Sequence, residues 1–252
     1  MSLPRVGSRP RVCIRTTELG GTRPFFLAGP CVLESRELAF EIAGRLRDLF
    51  ASRGLAFVFK ASYDKANRSS ISSVRGPGVE TGLSWLSEIR AELDVPVLTD
   101  VHAPDQCADA AEAVDVLQIP AFLCRQTDLL IAAAATGRVV NVKKGQFLAP
   151  WDMANVAKKI TSAGNQKVIL TERGTSFGYG RLVVDMTGFR HLRATGHLVV
   201  FDATHSVQEP GALGERSGGD RRLVPALARA AVATGDVDGF FVEVPPDPAR
   251  SP

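Results

Sequence analysis

Short apolar runs alternate with helical stretches along most of this 252-residue sequence. Several runs are nearly continuous in Val, Ile, Leu and Phe, which is typical of strands that are buried on both faces. This alternation restricts the fold to one built from parallel βα units. The predicted strands are Phe25–Pro30, Ala56–Ala61, Val95–Val101, Val114–Pro120, Val139–Gly145, Lys167–Gly174, Leu198–His205 and Gly239–Val244.

Helical stretches lie between these runs. The first carries Leu38, Ile42, Leu46 and Leu49 at helical spacing, which predicts its buried face. Eight strands in about 250 residues is the size of a (β/α)8 TIM barrel, so we predict a parallel eight-stranded barrel. A doubly wound sheet is the alternative, although no G-x-G-x-x-G follows any strand. The predicted helices are Glu34–Arg53, Glu80–Leu93, Pro104–Ala113, Arg125–Thr136, Trp151–Ala163, Leu182–Thr195 and Arg221–Thr234.

The predicted organisation is an N-terminal arm at residues 1–24 followed by one TIM-barrel domain at residues 25–252. After the eighth predicted strand only Pro245–Pro252 remains, so we expect the barrel to lack its last helix. A naturally short chain, a truncated piece, or a partner subunit that covers the strand face would each account for this.

Composition excludes several classes of protein. The chain has 30 Lys and Arg against 27 Asp and Glu, which is too balanced for a general nucleic-acid binder. Its apolar stretches are interrupted well before the roughly 18 residues that a membrane span needs. Four cysteines without a C-x-x-C pair do not form a disulfide scaffold, so a reducing cytoplasm is the predicted location.

Polar or reactive side chains stand at the carboxyl end of every predicted strand. In a barrel these ends form the face that carries the active site. A charged residue within an apolar run costs free energy unless it is paired or used, so a full ring of them indicates a site. The ring includes Cys31, Lys60, Asp100, Gln118, Lys143, Arg173, His205 and Glu243.

Cations dominate this ring and predict an anionic ligand. Arginine presents a planar fork to phosphate or carboxylate, and lysine presents a point charge. A small substrate with several phosphates, or with a phosphate and a carboxylate, is therefore expected. The converging cations are Lys60, Lys65, Arg68, Lys143 and Arg173. The alternative interpretation is that some of them only form ion pairs with Asp64, Asp100 and Glu172.

Cys31, His205 and Glu243 form a second group, at the first, seventh and eighth predicted strands. Those strands are neighbours in a closed barrel. Thiolate, imidazole and carboxylate together suit Zn²⁺, Fe²⁺ or Mn²⁺, so a divalent metal is predicted here. The alternative for Cys31 is that it is a small buried hydrophobic residue.

Long motifs resemble one enzyme family. Ala28–Cys31 looks like the opening motif of enzymes that condense phosphoenolpyruvate with an aldose phosphate, and Phe59–Ser70 narrows the resemblance to the 3-deoxy-D-manno-octulosonate 8-phosphate synthase family. The resemblance extends from Phe25 to Pro248. Further matching segments are Arg75–Gly78, Thr99–His102, Leu117–Asp128, Asn141–Phe147, Thr171–Gly174, Phe177–Tyr179 and Asp202–Ser206.

The resemblance implies a (β/α)8 barrel, usually a homotetramer, that acts early in lipopolysaccharide sugar synthesis. Such an enzyme joins phosphoenolpyruvate, D-arabinose 5-phosphate and water to give 3-deoxy-D-manno-octulosonate 8-phosphate and phosphate. No membrane or nucleic-acid partner is implied.

The resemblance also assigns roles to individual residues. Lys60, Lys143 and Arg173 resemble the phosphoenolpyruvate-binding cations, with Gln118 and Phe122 nearby. The arabinose-phosphate site is implied at Lys65, Asn67, Arg68 and Ser69. Cys31, His205 and Glu243 match three of the four ligands of the metal-dependent branch. The implied catalytic residues are Cys31, Lys60, Asp100 and His205.

The sequence departs from this family near its end. The fourth ligand, an Asp in a Ser-Asp-Gly-Pro-Asn motif, is absent, and Pro245 replaces the His of the family's Glu-x-His-Pro-Asp-Pro motif. Three ligands and a water still suffice for a catalytic metal. One alternative is a degenerate homologue that binds phosphoenolpyruvate as a non-catalytic subunit or acts on another aldose phosphate. Another is a Schiff-base aldolase that uses Lys60 or Lys143.

Overall fold

The apolar runs of the sequence form short strands, most of them fully buried. The computed structural model describes residues 9–66, 75–210 and 218–245. Within these residues the strands are β1 (Arg11–Ile14), β2 (Thr17–Gly20), β3 (Phe25–Gly29), β4 (Phe57–Lys60), β5 (Val97–Asp100), β6 (Val116–Ile119), β7 (Val139–Lys143), β8 (Val168–Glu172), β9 (Thr175–Ser176), β10 (Leu182–Val183), β11 (Leu198–Asp202), β12 (Gln208–Glu209), β13 (Gly218–Gly219) and β14 (Gly239–Glu243).

Eight of these strands close into a barrel. Their order around it is β3, β4, β5, β6, β7, β8, β11, β14 and back to β3, and every neighbouring pair is parallel. The barrel strands coincide with the eight predicted runs. The predicted (β/α)8 barrel is therefore confirmed, and the doubly wound alternative is wrong.

Helices between the strands cover the outside of the barrel. Helix α1 begins after Ser35, whose hydroxyl accepts a hydrogen bond from the backbone N–H of Leu38 and caps the first turn. The described helices are α1 (Arg36–Ser52), α2 (Val79–Glu92), α3 (Gln106–Ala113), α4 (Thr127–Ala135), α5 (Met153–Ser162), α6 (Gly188–Arg193) and α7 (Val224–Ala233).

The buried face of α1 differs slightly from the predicted one. Ile42 and Leu46 are buried as predicted, but Leu49 is 43% exposed and Phe50 is buried instead. Both positions continue the helical spacing from Leu46. Phe50 takes the buried position because its ring stacks on Phe26, with ring centroids 4.7 Å apart.

The predicted helix Leu182–Thr195 is too long. Leu182 and Val183 instead form β10, which pairs antiparallel with β9, and α6 begins only at Gly188. The Asp185 carboxylate accepts hydrogen bonds from the backbone N–H and hydroxyl of Thr187. This local turn competes with helix at the amino end of the predicted segment.

The inside of the barrel changes from apolar to polar along the strands. Alternate residues of a strand point to the same side. At the amino ends the inward set is apolar and forms one cluster, which includes Leu27, Val58, Leu98, Val116, Val139, Ile169, Leu198, Val200 and Phe241. Two residues further along the strands, the same inward phase carries Gly29, Lys60, Asp100, Gln118, Asn141, Thr171, Asp202 and Glu243.

A β-hairpin closes the apolar end of the barrel. Strands β1 and β2 pair antiparallel, and their Ile14 and Leu19 belong to the same buried cluster as the inward residues. The hairpin lies within residues 1–24, which were predicted to form an N-terminal arm without strands. A ligand that enters the barrel interior therefore approaches from the polar end.

Two predictions fall partly or wholly outside the described residues. Residues 1–8 of the N-terminal arm are not described, and neither are residues 246–252, on which the prediction of a missing last helix depends. In the described part of the chain, no helix is long and apolar enough to cross a membrane.

Candidate active site at the carboxyl ends of the barrel strands

Lys60 and Glu243 form a buried ion pair at the polar end of the barrel. The Lys60 Nζ lies 3.0 Å from Glu243 Oε1 and donates to the Cys31 carbonyl oxygen at 2.9 Å. Burial alone would raise the pKa of Glu243, but Lys60, His205 and Lys65 outweigh it and hold that pKa well below its usual value. Glu243 is therefore ionised and is held by cations.

Lys143, Asp202 and His205 form a second linked group. Asp202 Oδ2 lies 2.7 Å from Lys143 Nζ and 2.8 Å from His205 Nδ1. Burial lowers the pKa of His205 more than Asp202 raises it, so its ring is neutral at pH 7. With Nδ1–H donating to Asp202, the lone pair of a neutral ring is on Nε2, which lies 3.6 Å from Glu243 Oε1.

Phe241 lies between these two groups. Its ring centroid is 3.6 Å from Lys143 Nζ, 5.4 Å from Lys60 Nζ and 5.8 Å from the centroid of the His205 ring. An aromatic face attracts cations and contributes no hydrogen-bond partner of its own. Phe241 is thus an apolar floor on which the polar groups converge.

Lys65 approaches the site from the loop after β4. Its Nζ is 3.7 Å from Asp100 Oδ2 and 3.9 Å from Glu243 Oε1. Burial would raise the pKa of Asp100, but Lys65, Lys60 and Lys143 together with the Ser62 hydroxyl hold it below its ordinary range. Asp100 is therefore a carboxylate in the same charge network.

Arg173 is a buried cation that is only partly satisfied. One of its terminal nitrogens, Nη2, donates to Gln208 Oε1 at 3.0 Å, whereas Nη1 is buried with no hydrogen-bond partner among the described residues. Burial lowers its pKa, although Asp202, Glu172 and Glu243 act in the opposite direction. An unpaired buried donor of this kind is suited to an anion that enters the pocket.

Gln118, on β6, and Phe122, just after it, lie in different environments. Gln118 is buried and donates through Nε2 to the Asp100 carboxylate. Phe122 lies on the short helical turn Ala121–Leu123 and is 57% exposed.

The neighbouring polar residues Lys144 and Glu172 point the other way. Lys144 Nζ is 3.5 Å from Glu172 Oε1 and donates to the Leu148 carbonyl and to Thr175 Oγ1. Both side chains are buried in the loop packing after β7 and β8. Of the three carboxylates in the alternative ion-pair interpretation, Asp100 does lie near one of the five cations, Lys65. Glu172 pairs with Lys144 instead, and Asp64 pairs with Arg75.

The three predicted metal ligands are only partly brought together. His205 Nε2 and Glu243 Oε1 are adjacent, and the Lys60 ammonium already lies on the same Glu243 oxygen. Over residues 9–66, 75–210 and 218–245, no three His, Cys, Asp or Glu side chains gather in a way that could hold a metal ion. Imidazole and carboxylate fit a divalent metal chemically, but Cys31 does not complete the set in this arrangement.

Asn67, Arg68 and Ser69 lie outside the described residues. The aldose-phosphate side of the predicted site is therefore represented in the structure by Lys65 alone.

Sequence reasoning assigned no role to two side chains of this site, Asp202 and Phe241, although it placed Asp202 at the end of the seventh predicted strand. Asp202 orients both Lys143 and His205, and its signal was the Asp-x-x-His spacing that begins at the last residue of β11. Phe241 carried no polar signal.

Comparison with known proteins gives a consistent result. Residues 14–252 match the model of the DAHP synthetase I family. The chain is 58% identical to the 2-dehydro-3-deoxyphosphooctonate aldolase of Rhodopseudomonas palustris (strain BisB5) over 249 residues, which are 98% of the chain and 86% of the relative. It is 60% identical to the protein of that name from Nitratidesulfovibrio vulgaris (strain DP4), over 91% of the chain and 84% of the relative.

Proposed function

The chain belongs to the DAHP synthetase I family, and on that premise we propose that it is an enzyme with the activity of its 2-dehydro-3-deoxyphosphooctonate aldolase relatives. The resemblance to 3-deoxy-D-manno-octulosonate 8-phosphate synthases is confirmed, because the two names describe the same eight-carbon product. The reaction joins phosphoenolpyruvate, D-arabinose 5-phosphate and water and releases phosphate. Its product is a sugar acid phosphate of lipopolysaccharide synthesis.

The observation that carries this proposal is the cluster of cations at the polar end of the barrel, two of which, Lys60 and Lys143, lie over the Phe241 ring. Two phosphates and one carboxylate enter the site, and Lys60, Lys65, Lys143 and Arg173 offer four positive charges there. Asp100, Asp202 and Glu243 balance most of this charge before substrates bind. When substrates bind, their anionic groups replace these carboxylates as partners of the lysines, so the buried lysines are paired both before and after binding.

Phosphoenolpyruvate binds through Lys60, Lys143 and Arg173 in this proposal. The free Nη1 of Arg173 supplies a donor for an anionic oxygen, and the ammonium groups of Lys60 and Lys143 lie over the Phe241 ring. Lys65 holds the aldose phosphate. Fixed cations then position the enol carbon against the aldehyde and stabilise the developing charge.

Bond changes in the reaction balance without a covalent enzyme intermediate. The enol carbon C3 bonds to the aldehyde carbon, and the aldehyde oxygen takes up a proton. A water oxygen adds to C2 and becomes the C2 carbonyl oxygen as the bond between C2 and the phosphate oxygen breaks. Of the two protons of that water, one replaces the proton taken up by the aldehyde oxygen and the other leaves with phosphate. His205 Nε2 is the proposed acceptor for a proton of that water, since Asp202 fixes the neutral ring through Nδ1.

A divalent metal remains a separate proposal. Its supporting observation is the pair of donors His205 Nε2 and Glu243 Oε1, 3.6 Å apart, with Cys31 on the neighbouring strand end. A bound Zn²⁺, Fe²⁺ or Mn²⁺ would act as a Lewis acid at these residues. Since the three donors are not gathered, no step above depends on it. Metal analysis of the purified protein, and of a Cys31→Ala variant, tests it: equal metal contents, or none, would contradict metal binding at Cys31.

We propose a homo-oligomer, a tetramer by resemblance. Large exposed aromatic side chains follow the neighbouring strands β6, β7 and β8, where water contact is unfavourable. They are Phe122, Phe147, Trp151, Phe177 and Tyr179. Light scattering after size-exclusion chromatography measures the mass directly, and a value near 27.0 kDa would mean a monomer.

A cytoplasmic location is proposed from the four cysteines, none of which forms a disulfide.

The decisive experiment is phosphate release from phosphoenolpyruvate with D-arabinose 5-phosphate, with product mass as a second readout. It is run after chelator treatment and again with Mn²⁺ or Zn²⁺ restored. Four- and five-carbon aldose phosphates in parallel report substrate choice. Calorimetric binding of phosphoenolpyruvate without turnover on any of them would support the non-catalytic alternative instead.

The Schiff-base alternative has less structural support. Lys60 is ion-paired with Glu243, which opposes the deprotonated amine that imine formation needs. Borohydride treatment with substrate would leave the mass of the protein unchanged if the proposal is right.

A further inference from the structure

Five buried polar side chains form a continuous hydrogen-bonded belt across the barrel interior. They come from five consecutive positions around the barrel, from the end of β4 to β8, and each is at most 5% exposed. The belt consists of Ser62, Asp100, Gln118, Asn141 and Thr171.

The belt has one direction, which Asp100 sets. An ionised carboxylate only accepts hydrogen bonds, so Ser62 Oγ and Gln118 Nε2 both donate to it. The Gln118 carbonyl is then left to accept from Asn141 Nδ2 at 2.8 Å, and Asn141 Oδ1 accepts from Thr171 Oγ1 at 2.6 Å. Each amide orientation is thus determined by its neighbours.

Thr171 stands at the far end of this chain. The two ends of a side-chain amide have nearly the same shape, so only hydrogen-bond partners choose between its two orientations. Without the Thr171 hydroxyl, Asn141 loses the donor that holds its carbonyl. Asn141 is then free to tilt away from Gln118, so that Gln118 keeps its contact with the Asp100 carboxylate but loses the partner that holds its carbonyl end.

We propose that Thr171 and Asn141 are positioning residues that act through Gln118 to hold the Asp100 carboxylate against Lys65. The relevant contact is the 3.7 Å between Asp100 Oδ2 and Lys65 Nζ. In this proposal Thr171, on β8, influences the aldose-phosphate side from the opposite wall of the barrel. The proposal rests on the proposed function for its choice of substrate.

Thr171→Val tests the proposal, because it keeps the shape of the side chain and removes the donor. The KM for D-arabinose 5-phosphate is expected to rise about tenfold, the effect of one hydrogen bond to a charged network. The KM for phosphoenolpyruvate is expected to stay within about twofold. Thr171→Ser keeps the hydroxyl and is expected to restore the aldose-phosphate KM. Unchanged kinetics in Thr171→Val, or a Thr171→Ser variant that is equally impaired, would overturn the proposal.

The side-chain amide signals of Gln118 and Asn141 in ¹⁵N-labelled protein give a readout that does not need turnover. Both pairs of signals are expected to shift in Thr171→Val and to return in Thr171→Ser. Signals at wild-type positions in the folded Thr171→Val protein would show that the hydroxyl does not set the belt, against the proposal.

Failure of the two proposals is distinguishable. A wild-type protein without synthase activity contradicts the proposed function. The proposed role of Thr171 is then tested without turnover, by the amide signals and by calorimetric binding of D-arabinose 5-phosphate to the wild-type protein and to Thr171→Val. Equal affinities would overturn it, and weaker binding by the variant would support it.

Discussion

The Lys143 ammonium lies 3.6 Å from the centroid of the Phe241 ring. Phe241→Leu removes this aromatic face while keeping the site apolar. A cation–π contact at a buried site contributes about 1–2 kcal/mol, so kcat/KM for phosphoenolpyruvate is expected to fall roughly tenfold. Steady-state kinetics with both substrates measures this.

Phe240→Leu is the matched control for Phe241→Leu. Phe240 precedes Phe241 on β14 but packs outward against Phe26 and Phe201. Both substitutions are expected to lower the free energy of unfolding by about 1 kcal/mol through lost packing. Only the inward one is expected to change kinetics; an equal kinetic loss in both would mean that packing, rather than the cation contact, is responsible.

Lys143 and Lys144 are adjacent in sequence, but replacing the first is expected to affect activity and replacing the second is expected to affect stability. Lys143→Met removes the cation that Asp202 holds at 2.7 Å and is expected to lower kcat/KM at least a hundredfold. Lys144→Met leaves Glu172 buried without its ammonium partner, which destabilises the fold by roughly 3–5 kcal/mol. Urea unfolding and phosphate release separate the two effects.

The double variant Lys144→Met/Glu172→Gln checks the cause. Neutralising Glu172 removes the unpaired charge and is expected to recover part of the lost stability. A double variant as unstable as Lys144→Met would show that the contacts of Lys144 with the Leu148 carbonyl and Thr175 matter more than the ion pair.

The strands and the ring of polar residues could be predicted from sequence because apolar runs and their polar ends are local features. The sequence could not predict that Lys143 points into the barrel while Lys144 points away from it. Barrel strands are buried on both faces, so apolar residues occupy both phases and neither is marked as inward. Val139 is known to point inward only because the structure shows it in the interior cluster. From there, every second residue of the strand, Asn141 and then Lys143, also points inward.

Two other features escaped prediction for different reasons. The hairpin β1–β2 depends on Ile14 and Leu19 meeting the barrel interior, a contact far apart in sequence. The ion pair of Lys60 with Glu243 joins residues 183 positions apart and forms only when the barrel closes. Asp202 was visible as a strand-end carboxylate, but its hold on two partners is a three-dimensional property.

Gly29 permits the close approach of β3 and β4 beneath the site. A Cβ at this position would overlap the Lys60 carbonyl oxygen, which is backbone and cannot yield cheaply. Gly29→Ala is therefore expected to destabilise the fold by more than about 2 kcal/mol and to displace Lys60. Thermal unfolding measures the first effect and phosphoenolpyruvate binding the second.

Gly44→Ala is the control for Gly29→Ala. Gly44 lies inside α1, where an added methyl group would meet no neighbouring atom of the described residues within 4 Å. Alanine is therefore expected to stabilise the helix by about 0.5–1 kcal/mol. A loss of stability in both variants would mean that the steric overlap at Gly29 is not the cause.

Arg173 and Arg193 are both buried arginines with an Nη1 that lacks a partner among the described residues, at opposite ends of the barrel. Arg173 faces the proposed phosphoenolpyruvate site, whereas Arg193 pairs with Asp238 beside the amino end of β14. Arg173→Lys keeps the charge but loses the planar fork, so phosphoenolpyruvate affinity is expected to fall roughly tenfold to a hundredfold in calorimetry. Arg193→Lys is expected to lower stability and leave that affinity unchanged. Equal affinities for both variants would contradict the assignment of the free Arg173 donor to substrate, because the two arginines then differ only in the packing they support.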